Sequence, residues 1–162
     1  MKTYTVLLVD DEEALALAVM KKINWNELGF SVIGYAENGV KALEMMEEFR
    51  PDVVMTDIRM PYMDGIALSR HIRQDFPATK IMFFSGFDEF EYAKEAVHLE
   101  VEEYLLKPVN SVELTNVFTQ MKIKLDEEIS EKKNVQVLQN YYLESLPLLQ
   151  VNFYSTLIEG RI

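Results

Sequence analysis

The sequence predicts an α/β fold in which a parallel β-sheet is covered by helices on both faces. Short apolar runs alternate five times with amphipathic stretches, in units of about 25 residues, and this alternation is typical of strand–helix units. The runs end at polar or charged residues. Because right-handed crossovers bring the carboxyl ends of parallel strands to one edge of the sheet, we expect these polar residues to meet there.

The five strands are expected at short, mostly β-branched or apolar segments. They are residues 4–9, 31–35, 53–57, 80–84 and 104–106. The third is the most informative, because an apolar run there ends in Asp57 and is followed by Pro61 and by the turn pair Asp64 and Gly65. This pattern indicates a buried strand that delivers Asp57 to a loop. Ligands and chemistry in open α/β sheets collect beyond such strand ends, so Asp57 is the candidate reactive residue.

The helices are predicted from apolar residues at helical spacing and from capping and breaking residues. They are expected at residues 12–23, from Asn38 and Gly39 to a stop at Pro51, at 65–75 before Pro77, after Asp88 with Glu91, and from Asn110 with Glu113 to Leu125. In the first helix, the inward stripe is expected to include Leu15, Ala18 and Val19.

Composition excludes several classes of function. The 162 residues include 27 acidic and 16 basic side chains, and the formal charge of −11 disfavours contact with nucleic acid phosphates. There is no Cys, and therefore no disulfide, thiol catalysis or thiolate zinc site. No signal-like start or long apolar run is present, so we expect a cytoplasmic protein without a membrane span.

Five residues with chemical potential follow the predicted strand ends: Asp10, Asp11, Asp57, Ser85 and Lys107. Alone, each has an ordinary interpretation as a helix cap, a turn residue or a solvated strand end. Their convergence on one edge favours a site. Carboxylates about 5 Å apart repel by about 3 kcal/mol per pair at an effective dielectric of 20, so a divalent cation is expected between them. Oxygen ligands favour Mg²⁺, and Mg²⁺ beside an amine and a hydroxyl suits phosphoryl transfer to Asp57.

The arrangement resembles the receiver domain of two-component response regulators. The resemblance rests on Leu7–Glu12, Asp57–Pro61 with Asp64 and Gly65, Ser85 with Gly86, and Tyr104–Pro108, over about residues 3 to 125. It implies a flavodoxin-like (βα)5 fold with strand order 2-1-3-4-5. It also implies a protein that accepts a phosphoryl group from a histidine kinase and catalyses only its own phosphorylation and dephosphorylation.

The resemblance assigns roles to individual residues. Asp57 would be the phosphoacceptor, and Mg²⁺ would be held by Asp11, Asp57 and the main-chain carbonyl of Arg59, with Asp10 close behind. Ser85 and Lys107 would contact phosphoryl oxygens, and a cis Lys107–Pro108 bond is expected. Ser85 and Tyr104 would form the switch: Ser85 moves inward, Tyr104 turns, and the face of the fourth helix and fifth strand changes.

Finer features are similar to YesN-type receivers that precede an AraC-family DNA-binding domain. They include residues 24–30, Ala36–Gly39 and Ser85–Ala93. Glu100 departs from the pattern, because Gly is common in the turn before strand five. A left-handed backbone there would cost a non-Gly residue about 1 to 2 kcal/mol.

Residues 126–162 are expected to be a helical extension of the receiver, residues 1–125. The extension is predicted to break before Pro147 and to lead to an output domain that is absent from this chain. Apolar residues such as Val135, Leu138 and Tyr142 favour a dimerising or connecting segment. A homodimer is expected through this extension or through the face of helix four and strand five. DNA would be contacted only through the output domain.

Three other interpretations are weaker. A Mg²⁺-dependent aspartyl-phosphate phosphatase of the haloacid dehalogenase type requires a second acid two residues after the nucleophile, where this chain has Arg59. A flavodoxin-like nucleotide binder lacks a Gly-rich phosphate loop after strand one. A receiver that works unphosphorylated is disfavoured because all five site positions are intact.

Overall fold

A computed structural model describes residues 2–86 and 90–158 of the chain, with side chains described for 2–86 and 91–144. The described part contains one sheet of five parallel strands in the order β2-β1-β3-β4-β5. The strands are β1 (Tyr4–Val9), β2 (Phe30–Ala36), β3 (Val53–Asp57), β4 (Lys80–Ser85) and β5 (Glu103–Leu106). This topology confirms the predicted flavodoxin-like arrangement.

Five helices connect or follow the strands. They are α1 (Glu13–Met20), α2 (Gly39–Phe49), α3 (Gly65–Asp75), α4 (Phe90–His98) and α5 (Ser111–Ile158). The Asn38 side chain accepts a hydrogen bond from the Lys41 amide and caps α2, which begins where expected. The Asp64 side chain, expected only in a turn, accepts a hydrogen bond from the Ala67 amide and caps α3. Asp88, the expected cap of α4, lies outside the described residues.

The central strands are buried on both faces. All five residues of β3 and the last four of β1 are buried, and β4 is buried from Ile81 to Ser85. Helices cover both faces of such a sheet, so its strands are continuous apolar runs rather than alternating ones. On one face, Phe118 of α5 meets Trp25 and Phe30 edge-on, at ring-centroid distances of 4.7 and 5.0 Å. The buried central strands therefore position the residues at the carboxyl edge of the sheet.

Two helices differ from expectation. Helix α1 ends at Met20 rather than near residue 23, and its buried side chain is Ala16, whereas Ala18 is exposed. The indole of Trp25 donates to the carbonyl of Met20 at 3.0 Å, and this bond satisfies a carbonyl group at the helix end.

Helix α5 does not break before Pro147 but continues to Ile158. Proline removes one backbone hydrogen bond and strains one turn, and a long helix on both sides of it can retain the remaining bonds.

The chain divides into two compact units, Met1–Lys122 and Ile123–Ile162. The division falls within α5, close to the expected boundary at residue 125. The assignment of residues 126–162 as a linker stays a prediction. None of the helices in the described residues has the length and hydrophobicity that crossing a membrane requires.

Candidate functional site

Three carboxylates meet at the carboxyl edge of the sheet. Asp10 directly follows β1, Asp57 is the last residue of β3, and Asp11 lies beside Asp10. Asp10 and Asp57 are buried and Asp11 is exposed, and each offers a carboxylate oxygen within 4.8 Å of the others. Among the residues with described side chains, the predicted acidic cluster is therefore assembled.

Lys107 places its ammonium group between two of these acids. Its Nζ donates to Oδ2 of Asp10 at 3.0 Å and to Oδ2 of Asp57 at 3.1 Å. It also lies 4.8 Å from the ring centre of Phe84, on the neighbouring strand. The preceding strand, β5, ends at Leu106, and the Lys107–Pro108 bond is cis, as expected. The cation therefore bridges strand ends that are distant in sequence.

Backbone amides orient the two buried carboxylates. The Ile58 amide donates to Oδ1 of Asp57 at 2.8 Å, and the Glu12 amide donates to Oδ1 of Asp10 at 2.9 Å. The hydroxyl of Thr56 donates to the main-chain carbonyl of Asp57 at 2.8 Å. Each of the two acids thus has one oxygen on an amide and one on Lys107, and this fixes both side chains before any ligand binds.

The electrostatics of Asp57 and Lys107 reflect burial and pairing. Burial raises the pKa of the Asp57 carboxyl, and the Lys107 ammonium opposes that rise without cancelling it. Burial works to lower the pKa of the Lys107 ammonium, but its hydrogen bonds to Asp10 and Asp57 outweigh this effect, and its pKa is raised. The ammonium is therefore firmly charged at neutral pH.

The loop after β3 is packed against Asp57 at Gly65. The Gly65 amide donates to the carbonyl of Ile58 at 2.7 Å. A Cβ on Gly65 would overlap the carbonyl oxygen of Asp57 and would lie 3.0 Å from Cα of Ile58. Only glycine permits this close approach of two backbone segments. The start of α3 therefore packs directly against the end of β3.

Ser85 and Tyr104 lie on adjacent strands beside the cluster. Ser85 is the last residue of β4 and is fully buried, and its carbonyl accepts a hydrogen bond from the Lys107 amide at 2.8 Å. Tyr104 is half-buried and pairs in register with Phe83, whose ring it meets edge-on at 6.3 Å. A backbone hydrogen bond thus links Ser85, at the end of β4, directly to Lys107.

The side chain of Arg59 makes a contact that the sequence did not predict. Its Nε donates to the Tyr92 hydroxyl at 2.6 Å, and its guanidinium carbon lies 5.6 Å from the centre of the Tyr92 ring. Tyr92 belongs to α4, 33 residues later. No local pattern connects the two positions, so only the fold reveals the pair.

A family model described as the response regulator receiver domain matches residues 6–119, most of the chain. The chain belongs to this family. It is thus the receiver domain of a response regulator of the two-component type, and this confirms the resemblance described above. This match gives no support to the haloacid dehalogenase alternative.

Some curated relatives of this chain are named transcriptional regulatory proteins. The transcriptional regulatory protein YesN of Bacillus subtilis is 37% identical over 137 residues, which are 85% of this chain and 37% of that protein. HptR of Staphylococcus aureus, also named a transcriptional regulatory protein, is 31% identical over 150 residues, 93% of this chain and 58% of HptR. The receiver thus spans roughly two to three fifths of the length of these relatives.

Solved receiver structures match as well. The REC domain of AraT, a response regulator from Geobacillus stearothermophilus, is 39% identical with a TM-score of 0.74, and the match covers 78% of this chain and 98% of that domain. The receiver domain of a putative response regulator, NarL, from Mycobacterium tuberculosis is 25% identical with a TM-score of 0.68, covering 75% and 98%. These likenesses agree with the strand order of the receiver.

Proposed function

We propose that this receiver is a phosphorylation-activated switch that accepts a phosphoryl group from a histidine kinase on Asp57. The observation that carries the proposal is the Asp57 carboxylate, held at a strand end between an amide, an ammonium and two further acids. Both the family and this geometry support it. A cytoplasmic location follows from the proposed kinase partner and stays a prediction.

The chemistry requires little of the protein beyond positioning and charge. An oxygen of Asp57 forms a bond to phosphorus while the bond from phosphorus to the donor histidine nitrogen breaks, and the electron pair stays on that nitrogen. Lys107 neutralises charge on the phosphoryl oxygens. In a separate hydrolysis step, a water oxygen attacks phosphorus and loses a proton to solvent, while the bond between phosphorus and the Asp57 oxygen breaks to give inorganic phosphate and the free carboxylate. We propose that the receiver catalyses only these two steps on itself.

The donor set fits Mg²⁺. Asp10, Asp11 and Asp57 supply oxygen atoms only, their carboxylates lie close together, and Mg²⁺ prefers one or two carboxylates with waters and phosphate oxygens. Asp11, Asp57 and the main-chain carbonyl of Arg59 would hold the ion, with Asp10 behind them. When bound, the ion would neutralise negative charge that develops on the phosphoryl group.

The proposed switch consists of Ser85 and Tyr104. Phosphorylation converts the singly charged Asp57 carboxylate into an acyl phosphate that carries close to two negative charges and three strong acceptor oxygens. The Ser85 hydroxyl is expected to move toward them and to leave space for the ring of Tyr104, which is half-buried at present. The exposed Leu106 and Val97 lie on the strand and helix that this motion would affect, so the signal is a changed surface.

We infer that the output is transcriptional. The relatives named above are called transcriptional regulatory proteins and are longer than this chain. The receiver itself carries a formal charge of −11, so DNA binding is assigned to an output domain outside the 162 residues.

We further propose that the receiver forms a homodimer through the helical extension or through the face of α4 and β5. Val135, Leu138 and Tyr142 lie along one face of α5 at a spacing of three and four residues, and each is about half exposed or more. The same stripe on a second copy would pair with it at a matching register, as in a two-stranded coiled coil.

The proposal is tested by phosphorylation in vitro. The receiver is incubated with Mg²⁺ and acetyl phosphate, and the mass of the intact protein is measured. Wild type is expected to gain one phosphoryl group and Asp57→Asn none. Asp64→Asn is the matched control, because it makes the same acid-to-amide change at a helix cap, where Asn caps as well as Asp. Equal phosphorylation of wild type and Asp57→Asn would refute the proposal.

A further inference from the structure

We propose that Arg59 holds α4 in place through Tyr92, and that phosphorylation of Asp57 releases this tie by drawing the Arg59 guanidinium onto the phosphoryl group. The release of Arg59 rests on the proposed function, whereas the Arg59–Tyr92 contact, called the tie below, is present in the unphosphorylated protein. The inference adds a second connection between the site and the surface, separate from Ser85 and Tyr104.

The contact joins a charged donor to a neutral acceptor. Arg59 is exposed and Tyr92 is half-buried, with its ring packed against the main apolar core. The guanidinium both donates to the phenol oxygen at 2.6 Å and lies over the ring at 5.6 Å. Because the Tyr92 ring is anchored in the core and its hydroxyl is on Arg59, the pair connects the loop after β3 to the first turns of α4.

Polar contacts add to a limited apolar burial in positioning α4. Among its described side chains and the following Leu99, only Ala96 and Leu99 are buried. Three arginines of the segment from β3 to the end of α3 contact α4 or the residue that follows it, at residues 92, 95 and 99. Arg59 contacts Tyr92, Arg70 pairs with Glu95 at 3.1 Å, and Arg73 donates to the Leu99 carbonyl at 2.8 Å. Loss of one such contact should therefore loosen the helix measurably.

Of these three arginines, Arg59 is the one placed to respond to Asp57. It follows Asp57 by two residues, so their Cα atoms are at most about 7.6 Å apart, within reach of an arginine side chain. Arg70 lies within α3, 13 residues after Asp57. A guanidinium binds a phosphoryl group through charge-assisted, frequently bidentate hydrogen bonds, which are stronger than a bond to a neutral phenol. Phosphorylation therefore competes directly with Tyr92 for Arg59.

Amide hydrogen exchange of α4 measures the tie. Exchange at residues 94–99 is followed in wild type, Tyr92→Phe and Arg70→Ala, each with and without Mg²⁺ and beryllium fluoride, which mimics the acyl phosphate. Tyr92→Phe keeps the ring and removes the hydroxyl that accepts from Arg59. Without the mimic, it is expected to exchange about three to ten times faster than wild type, as loss of one hydrogen bond at a partly exposed site predicts.

The response to the mimic separates the tie from ordinary destabilisation. Wild type is expected to exchange faster at α4 when the mimic is bound, and Tyr92→Phe is expected to show little further change because its tie is already absent. Arg70→Ala, the matched control, should exchange faster in both states and keep the full response of wild type. Two results would overturn the inference. One is that the mimic accelerates exchange at α4 in Tyr92→Phe as much as in wild type, and the other is that Tyr92→Phe without the mimic exchanges at the wild-type rate.

The mass of the intact protein distinguishes this inference from the proposed function. If wild type takes no phosphoryl group from acetyl phosphate, the proposed function fails. The comparison of wild type with Tyr92→Phe in the absence of donor still decides whether Arg59 holds α4, since it requires no phosphorylation.

Discussion

The ammonium of Lys107 donates to the carboxylate of Asp57 at 3.1 Å across 50 residues of sequence. The same nitrogen donates to Asp10 at 3.0 Å, so one cation serves two buried acids that come from different strands. Removal of Lys107 would leave two negatively charged carboxylates close together, with little water to screen their repulsion.

Lys107→Met is expected to lower the free energy of unfolding by about 1 to 3 kcal/mol without Mg²⁺, because two acids lose their shared cation. This range allows for the partial exposure of the Lys107 side chain, 18%. Added Mg²⁺ should raise the melting temperature more in Lys107→Met than in wild type, since the ion then replaces the missing charge. Calorimetry with and without Mg²⁺ measures both effects. An equal or smaller Mg²⁺ effect in the variant would show that Lys107 does not share the acids with the metal.

Gly65→Ala is expected to destabilise the receiver by about 3 kcal/mol, because its Cβ would overlap the backbone at Asp57 and nothing there can move independently. Gly86→Ala is the matched control, since a Cβ at Gly86 lies within 4 Å of no heavy atom of the described residues, its chain neighbours aside. Urea denaturation compares the two. A loss in Gly65→Ala no larger than in Gly86→Ala would contradict the role given to the close approach at Gly65.

Local signals predicted much of this structure. Asp64 and Gly65 placed the start of α3 correctly because capping and turn preferences act over a few residues. The edge that gathers Asp10, Asp57 and Lys107 followed from the chirality of crossovers, which does not depend on distant side chains.

What the sequence could not provide depends on contacts between distant residues. The end of α1 is completed by the Trp25 indole, and the Arg59 side chain finds its partner on α4. The break expected before Pro147 was wrong. Proline disfavours a helix interior locally, but α5 continues on both sides of this residue. The roles of the site residues stay predictions.

Glu100→Gly is expected to stabilise the receiver. Glu100 has a φ of 55°, so a residue with a Cβ occupies a left-handed backbone in the turn before β5, as anticipated. Glu100→Ala loses the same carboxylate but keeps the strain, so it is the control for the effect of charge. Glu100→Gly should be more stable than Glu100→Ala by about 1 kcal/mol in urea denaturation. Equal stability of the two variants would mean that the turn carries no backbone strain.

The apolar stripe on α5 is expected to mediate dimerisation. Leu138→Glu places a charge on the stripe and should shift sedimentation at micromolar concentration toward the monomer. Val137→Glu changes an equally exposed residue that lies outside the stripe, about 100° around the helix from Leu138, and should not. A monomeric wild type, or equal effects of the two variants, would rule out this interface.

The most direct test of the central claim identifies the residue that carries the phosphoryl group. The receiver is phosphorylated with acetyl phosphate and Mg²⁺ and treated with borohydride, which reduces an aspartyl phosphate to homoserine, and peptides are sequenced by mass spectrometry. The account predicts homoserine at residue 57 alone. Homoserine at residue 10 or 11, or phosphorylation that yields no homoserine, would contradict it.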